Sequence, residues 1–191
     1  GGDTIAEHLG HLQGDPRSEQ GVHMVVGPMY HTGPLSGARL LAAGVSSVIL
    51  NRFDAEKTLA AIQDYQVGNS VMVPTHFIRL LALPDEIKAK YDLSSLIRIS
   101  HTGAKCPVDV KKAMIEWWGP VFVDAYGASE VGTTCMITSE EWLENPGSVG
   151  KALPPFTAII LDDDDNELPA NKEGRLYFKD DTGRGVVYHN D

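Results

Sequence analysis

The sequence predicts an α/β fold in which helices flank a mostly parallel sheet. Short apolar runs rich in β-branched residues alternate with amphipathic segments from about Val22 to Tyr126. This alternation is typical of parallel sheets, because a helix usually connects each strand to the next parallel one. After Pro146 further strand-like runs follow with no helical segment between them, which predicts a β-rich unit in the last part of the chain.

Strands and helices are predicted in turn along the alternating part. The strands are expected at residues 22–26, 45–50, 70–73, 96–100 and 121–125. The helices are expected at residues 36–43, 55–66, 75–83 and 107–118. Residues that start or stop helices set several of these bounds, since Asp54 is a good N-cap and Gly44 and Pro84 end helices.

The helix at 107–118 has the clearest pattern. Pro107 suits its first turn, and Gly119 ends it. Apolar side chains recur three and four residues apart and form a stripe that should face the core: Val110, Ala113, Met114 and Trp117. We therefore expect Trp117 in the core and Trp118 beneath the junction with the β-rich unit.

The composition and the pattern of predicted elements divide the chain into three parts. Residues 1–21 are expected to form a polar arm or short helix, residues 22–140 the α/β unit, and residues 146–191 the β-rich unit. The β-rich unit should contain strands at residues 156–161, 174–179 and 185–189.

Composition excludes several classes of protein. The 191-residue chain has a net charge of −10 and no basic cluster, which argues against nucleic acid as a partner. Its two cysteines, Cys106 and Cys135, form no CxxC pair, so reduced thiols are expected rather than a metal ribbon or redox motif. No apolar stretch is long enough for a membrane helix, and no signal-like leader is seen. A cytoplasmic location is the expectation.

The strongest local signal is the segment 124–130, DAYGASE. A strand is expected to run into Tyr126, and a turn of small residues then exposes Ser129 and Glu130. Ligands of open α/β sheets bind at the carboxyl ends of strands, where a ring can stack on a base. A hydroxyl group and backbone N–H groups can hold a phosphate, and a carboxylate suits Mg²⁺. The alternative is a plain strand-end turn with Glu130 in solvent.

Residues 126–130, YGASE, resemble the YG[TS]TE-type signature of the adenylate-forming ANL superfamily, which includes acyl-CoA synthetases, peptide-synthetase adenylation domains and firefly-type luciferases. The resemblance implies that Tyr126 packs on adenine, Ser129 holds the α-phosphate and Glu130 binds Mg²⁺. It also implies catalytic roles for Ser129 and Glu130, and contacts from Ala125 and Gly127 to the nucleotide.

Other motifs of that superfamily follow in the same order. Residues 103–107, GAKCP, resemble the segment that lies against adenine, which implies nucleotide contacts from Gly103, Ala104 and Lys105, although Lys105 replaces a small residue and should itself lie in solvent. Residues 28–31, PMYH, resemble the motif whose His lines the acyl and thiol path. Residues 146–151 resemble the stretch that opens the family's β-barrel subdomain, and residues 174–178 resemble a strand of it. Residues 188–191 resemble the element just beyond that strand.

The acyl pocket is assigned to four residues by this resemblance and by position. His31 takes the role of the motif histidine, and His76 follows Val73 and Pro74 at the end of a predicted strand. Val131 and Gly132 come directly after the signature, where such pockets often continue. A capping or core-edge histidine is the alternative for His31.

The resemblance implies a central fragment of an AMP-forming acyl-CoA synthetase, close to bacterial fatty-acid-type members, that uses ATP, Mg²⁺ and coenzyme A. The family's phosphate loop, ribose-binding Asp and C-terminal lysine domain do not occur in the 191 residues, so the fragment alone is expected to be inactive. Alternatives are an adenylation module that serves a carrier protein, and a non-catalytic nucleotide-binding module.

Other motifs match less well. Residues 127–131 nearly match the G-x-S-x-G elbow of hydrolases, but Val131 stands where the second Gly is needed. His8 and His11 have no third metal ligand nearby, and the acidic run 162–165 lacks the Gly of a calcium loop, which favours a solvated hairpin tip. The GK[ST] ending of a Walker phosphate loop is also absent.

Overall fold

A computed structural model describes residues 4, 6, 7, 10, 19–183, 185 and 189, with only the backbone described at positions 32, 36 and 38. The expected arm at 1–21 therefore lies almost entirely outside the described residues, as do His8 and His11. The strand expected at 185–189 also lies outside them, apart from its two end residues.

The main sheet has seven strands among the described residues. They are β1 (Val22–Val25), β2 (Ser47–Ile49), β3 (Val67–Met72), β4 (Arg98–His101), β5 (Phe122–Ala128), β6 (Gly132–Thr138) and β7 (Lys151–Ala152). The helices that flank or follow these strands are α1 (Thr32–Ala42), α2 (Ala55–Tyr65), α3 (Pro74–Leu81), α4 (Asp85–Lys88), α5 (Val108–Trp118) and α6 (Ser139–Glu144).

The sheet is mostly parallel, as the sequence predicts. Its strand order is β2-β1-β3-β4-β5-β6-β7, and β1 to β5 run parallel to one another. Only β6 and β7 run antiparallel to their neighbours. The last part of the described chain forms a separate antiparallel pair, β8 (Phe156–Leu161) and β9 (Arg175–Asp180). The α/β fold class is therefore confirmed.

The division near residues 140–146 stays a prediction. β7 lies beyond Pro146, in the part assigned to the β-rich unit, but its residues pair with Cys135 and Met136 of β6 in the main sheet. The chain thus crosses from one sheet to the other between β7 and β8.

β3 and β4 end at the same level, and β5 continues beyond that level to Ala128. Met72 of β3 pairs with His101 of β4, and His101 pairs with Asp124 of β5. The segments that follow these strands therefore leave the sheet on one side. We call this side the carboxyl edge, made of residues 26–31, 73–76, 102–105 and 126–131.

The core lies between the sheet and helices α2, α3 and α5. Phe77 of α3 is fully buried and meets the ring of Phe122 edge-on, with 5.4 Å between the centroids. Burial of such side chains is worth about 1.5–3 kcal/mol each, which fixes the helices on the sheet. Asp54 caps α2 as predicted, since its carboxylate accepts a 2.9 Å hydrogen bond from the Lys57 backbone N–H.

Helix α5 buries a different stripe from the predicted one. The buried residues are Lys111, Met114, Ile115 and Trp118. Trp118 is 7% exposed and stacks on Phe122, whereas Trp117 is only partly buried at the rim of the core. The expected places of the two tryptophans are therefore wrong. The physical reason is the Asp124 carboxylate, which pairs with Lys111 and draws that face of the helix inward.

Several predicted bounds also change. The strand expected at 70–73 begins three residues earlier, at Val67, and the helix expected from 36 begins at Thr32. β5 continues through Ala128 instead of ending at Ala125, because β6 pairs with it as the second strand of a hairpin. Neither β6 nor α6 was predicted. Within the described part of the chain, no helix is long and apolar enough to cross a membrane.

Candidate functional site

The carboxyl edge brings together the site residues predicted from different parts of the sequence. His31 follows β1, His76 follows β3, and Gly103, Ala104 and Lys105 follow β4. Residues 126–130 form the end of β5 and the turn beyond it. These four strands are neighbours in the sheet, so segments far apart in sequence become adjacent in space. Such an edge is where open α/β sheets bind their ligands.

The signature segment lies at the tip of the β5–β6 hairpin. The backbone N–H of Val131 donates to the carbonyl of Ala128 at 3.3 Å, which closes the turn around Ser129 and Glu130. Both side chains are exposed, and Val131 is 39% exposed. A hydroxyl group and a carboxylate therefore face solvent at the carboxyl edge, where a phosphate and its cation could approach them.

Gly127 is required by the close approach of the two hairpin strands. A Cβ atom at this position would overlap the carbonyl oxygen of Gly132. Gly132 has a φ of 84°, in the region that favours glycine, and it opens β6. The two glycines thus set the shape of the turn that presents Ser129 and Glu130.

The ring of Tyr126 is 42% exposed and lies beside the second sheet. Its centroid is 6.1 Å from that of Phe178 in β9, and the two planes are tilted by 43°. The backbone carbonyl of Tyr126 accepts a 3.1 Å hydrogen bond from the Thr134 hydroxyl, which holds this end of β5 against β6. Phe178 lies in residues 174–178, which resemble a β-barrel element of the superfamily. The sequence analysis did not predict its contact with Tyr126.

The loop after β4 is open to solvent. Gly103, Ala104 and Lys105 are all exposed, and Gly103 has a φ of 86°. The Thr102 backbone N–H donates to the Met72 carbonyl at 3.3 Å, so the loop begins where β3 and β4 separate. Exposed backbone of this kind can lie flat against a ligand at the carboxyl edge.

His76 is uncharged at neutral pH. Burial, with a smaller contribution from Arg79, lowers the pKa of its imidazole to about 4. The ring stacks on Phe53 at 4.2 Å with planes only 9° apart, and Nδ1 accepts a 3.4 Å hydrogen bond from the Val73 backbone N–H. His76 therefore closes the first turn of α3 and presents an apolar face beside Phe53.

His31 is the N-cap residue of α1, but its side chain makes no capping hydrogen bond, so the alternative of a capping histidine is not confirmed. Its ring lies 4.7 Å from that of Tyr30. Both rings are exposed at the carboxyl edge. The acyl-pocket roles of His31, His76, Val131 and Gly132 stay predictions.

A buried polar cluster directly behind the hairpin was missed by the sequence reasoning. The ammonium group of Lys111 and Nε2 of His101 both contact the same carboxylate oxygen of Asp124. Lys111 is fully buried, and burial lowers its pKa, although Asp124 opposes that shift. Burial likewise raises the pKa of the neighbouring Cys106 thiol to about 11. A lysine at the spacing of a core stripe is the sequence signal that could have revealed the cluster.

Residues 4–186 match the family described as "AMP-binding enzyme". The chain belongs to this family. Luciferin 4-monooxygenase of Nipponoluciola cruciata is 33% identical over 159 residues, which are 82% of this chain and 28% of that protein. Acetyl-coenzyme A synthetase of Bacillus subtilis is 31% identical over 158 residues, or 80% of this chain and 27% of that protein. The chain therefore spans less than a third of the length of these relatives.

Solved structures share the fold of this AMP-binding chain. O-succinylbenzoate coenzyme A synthetase of Bacillus subtilis in complex with AMP superposes with a TM-score of 0.72 at 21% identity, covering 93% of this chain and 37% of that one. Amide bond synthetase of Marinactinospora thermotolerans gives 0.77 at 23% identity, covering 91% and 37%. The architecture of a mostly parallel sheet with flanking helices is thus that of the family.

A single exposed carboxylate at the carboxyl edge is the kind of donor that Mg²⁺ accepts beside substrate phosphates. No group of three or more His, Cys, Asp or Glu side chains that could hold a metal occurs in the described ranges, the acidic run 162–165 included. Mg²⁺ seldom needs such a cage, because it is usually held by one or two carboxylates together with substrate phosphates and waters. The exposed carboxylate of Glu130 at the carboxyl edge suits that mode.

The hairpin excludes the hydrolase alternative for Ser129. A nucleophile elbow requires a sharp turn from a strand into a helix. Here Ser129 lies in the turn between two antiparallel strands, and the next helix, α6, begins only at Ser139. The resemblance of residues 127–131 to the G-x-S-x-G motif is therefore accidental.

Proposed function

We propose that this chain is the central part of an acid–CoA ligase that forms an acyl-adenylate. A carboxylate oxygen of the acid attacks the α-phosphorus of ATP, and the bond from that phosphorus to pyrophosphate breaks. The coenzyme A thiol then attacks the acyl carbonyl, gives up its proton, and AMP leaves. The proposal rests on one observation, namely that Tyr126, Ser129 and Glu130 lie at the carboxyl edge beside the exposed loop after β4.

Several residues at or beside the carboxyl edge have a role in nucleotide binding under this proposal. Tyr126 packs on adenine, and the backbone of residues 103–105, Ala125 and Gly127 lines the base. The hydroxyl group of Ser129 donates to the α-phosphate. Its exposure in the turn supports this role.

The chemistry explains why Glu130 matters most. Attack of a carboxylate on a phosphate brings two anions together, and the chain itself has a net charge of −10. Bound Mg²⁺ would neutralise part of the charge that develops on the phosphate oxygens. We propose that the Glu130 carboxylate holds this ion at the tip of the hairpin, with Ser129 beside it.

The acyl group is proposed to be apolar, such as that of a fatty acid. His76 is uncharged and stacked on Phe53, which offers an apolar surface at the carboxyl edge. His31, Val131 and Gly132 complete the proposed pocket. Two free thiols, Cys106 and Cys135, favour a reducing compartment such as the cytosol for this enzyme.

The test is adenylation by the full-length protein in which this chain lies. Glu130→Ala should lower acid-dependent exchange of pyrophosphate into ATP by about 100-fold or more, because one placed charge is lost from the transition state. Glu86→Ala, which removes an exposed glutamate of α4 away from the carboxyl edge, is the matched control and should retain activity.

Different experimental outcomes would contradict different parts of the proposal. Full activity of Glu130→Ala, with the fold unchanged by circular dichroism, would contradict the role of Glu130. Adenylate formation with transfer to a carrier-protein thiol, but not to coenzyme A, would correct the acceptor alone. Nucleotide binding without any exchange, over a panel of acids, would identify a non-catalytic nucleotide-binding module instead.

A further inference from the structure

The carboxyl group of Asp124 lies at the boundary between the core and the carboxyl edge. Its side chain is 14% exposed, and its oxygen Oδ1 contacts both the ammonium group of Lys111 and Nε2 of His101. Within the part of the chain that the structure describes, both contacts use this one oxygen. The second oxygen, Oδ2, therefore remains available to a ligand at the partly exposed end of the group.

Asp124 lies on the side of β5 where the base of the nucleotide is proposed to bind. It precedes Tyr126 by two residues in the same strand, so the two side chains point to the same face of the sheet. The residues are about 7 Å apart along the strand, at about 3.3 Å per residue. With the ring of Tyr126 on adenine, the Asp124 carboxylate is close to the edge of the base.

A carboxylate at the edge of the base distinguishes one purine from another. Ionised aspartate only accepts hydrogen bonds. Adenine has a donor at this edge, its exocyclic amino group, whereas guanine has an acceptor oxygen at the same position. The selectivity of such a contact depends on the direction of Oδ2, and that direction depends on what holds Oδ1.

Lys111 holds Oδ1 from inside the core, and its own ammonium group is fixed from two sides. The side chain is fully buried, pairs with Asp124 and lies 4.9 Å from the ring centroid of Trp142, a cation–π distance. Trp142 is 2% exposed and belongs to α6. A flexible lysine stem thus ends in a group with a defined position, and the carboxylate that it contacts is held in one orientation.

Packing alone gives no reason for a lysine here. Lys111 occupies the first position of the stripe that Met114, Ile115 and Trp118 complete, where an apolar residue would serve the core. Replacing a buried ion pair with apolar residues is often neutral or even stabilising, since both charges lose their hydration. A defined geometry of the carboxylate is the property that the ammonium group adds.

We propose that Lys111, held between Asp124 and Trp142, is a positioning residue for the selection of the nucleotide base. It orients the Asp124 carboxylate so that Oδ2 accepts a hydrogen bond from the amino group of adenine. Lys111 is fully buried and acts only through Asp124. The inference rests on the proposed adenylation, and it assigns the choice of ATP over other nucleotides to a residue behind the site.

The first test is Lys111→Met in the full-length protein. Acid-dependent exchange of pyrophosphate is measured with ATP and with purine riboside triphosphate, which lacks the amino group of adenine. The KM for ATP should rise by about tenfold or more, because a small displacement of a binding group has large kinetic effects. The KM for the analogue should stay unchanged, since the analogue offers Asp124 no amino group. A merely structural role of Lys111 would raise both KM values by the same factor.

Lys112→Met is the matched control. Lys112 is the next residue of α5 and is exposed, so the same substitution removes the same charge from the same helix without touching Asp124. Both KM values, and therefore their ratio, should equal those of the wild-type protein.

A second variant keeps the inference testable if Lys111→Met does not fold. Lys111→Gln lacks the charge but retains a hydrogen-bond donor for Asp124, and the ratio of the two KM values should shift by about threefold or more in the same direction. An unchanged ratio in a folded variant of Lys111 would overturn the inference.

The wild-type protein separates this inference from the proposed function. Equal use of ATP and of the analogue by the wild-type protein would overturn the inference and leave the proposed adenylation intact. A wild-type protein without exchange activity over a panel of acids would overturn the proposed function, and this inference with it.

Discussion

Burial separates the ionisable side chains at the carboxyl edge. Glu130 is exposed at the tip of the hairpin. His76 is half-buried against Phe53, and its pKa falls to about 4. The same edge thus combines an exposed carboxyl side chain at the hairpin tip with an uncharged aromatic patch, and the proposed function uses both.

The lowered pKa of His76 predicts a loss of stability in acid. Because the unfolded chain binds a proton near pH 6.5 and the folded chain only near pH 4, protonation between these values favours unfolding. Relative to His76→Gln, the wild-type protein should lose about 1–2 kcal/mol of unfolding free energy between pH 6.5 and 4, a value reduced for the partial exposure of the ring.

Urea unfolding of both proteins at several pH values measures this difference. His31→Gln, at an exposed histidine of the same edge, is the control for the substitution itself. A constant offset between wild type and His76→Gln over that pH range would mean that the imidazole of His76 is solvated in the folded protein.

At the scale of secondary-structure elements, the β5–β6 hairpin depends on two glycines in different ways. Gly127→Ala should destabilise the protein by about 3 kcal/mol or more, because its Cβ would press on the Gly132 carbonyl and force the strands apart. Gly132→Ala has open space for its Cβ but a positive φ, so we expect a cost of about 1–2 kcal/mol.

Denaturant midpoints of the two variants give this order directly. Equal and small losses would show that the hairpin strands can separate at Gly127 without cost. Since residues 129 and 130 lie in the turn between the two glycines, Gly127→Ala should also weaken nucleotide binding by the full-length protein.

Element boundaries show where local patterns suffice and where they fail. The N-cap of α2 at Asp54 was predictable because a cap depends only on its own residues. The stripe of α5 was not, because residues 110, 113, 114 and 117 and residues 111, 114, 115 and 118 have the same helical spacing. Lys111 faces inward and pairs with Asp124. Asp124 lies on β5, outside the helix, so the pattern of the helix alone does not show this pairing.

The unpredicted elements after Ser129 have a similar explanation. Exposed and buried side chains do not alternate along β6. Its first residues are exposed and most of its later ones are buried on both faces, so the sequence lacks the period of two that usually predicts a strand. α6 does have a recognisable start, since Thr138 and Glu141 form a capping box in which each side chain bonds the other's backbone N–H. That signal was present in the sequence and could have revealed the helix.

Over the whole molecule, the sequence determined the sheet and the place of the site better than the roles of single residues. Alternating strands and helices fix a parallel sheet, and a parallel sheet collects its loops at one edge. The residues predicted for the nucleotide therefore lie at that edge without any tertiary information. Which of them touch a ligand depends on neighbours such as Phe178, which belongs to the other sheet.

The chain alone is expected to release no pyrophosphate above background when given ATP, Mg²⁺ and a fatty acid. It matches less than a third of the length of these two relatives, and the turn at the tip of the hairpin offers one hydroxyl group and one carboxylate where the reaction also needs cationic donors. A coupled pyrophosphate assay of the 191-residue chain beside the full-length protein tests this expectation. Turnover by the chain alone would contradict it and would place the missing donors among these residues.

The contact between Lys111 and Trp142 gives this molecule an optical reporter of its own. Only three tryptophans are present, and Trp142 alone has a buried ammonium group 4.9 Å from its ring. A positive charge so close to an indole alters the energy and yield of its fluorescence. The contribution of Trp142 to the emission is therefore expected to change when its contact with Lys111 is lost.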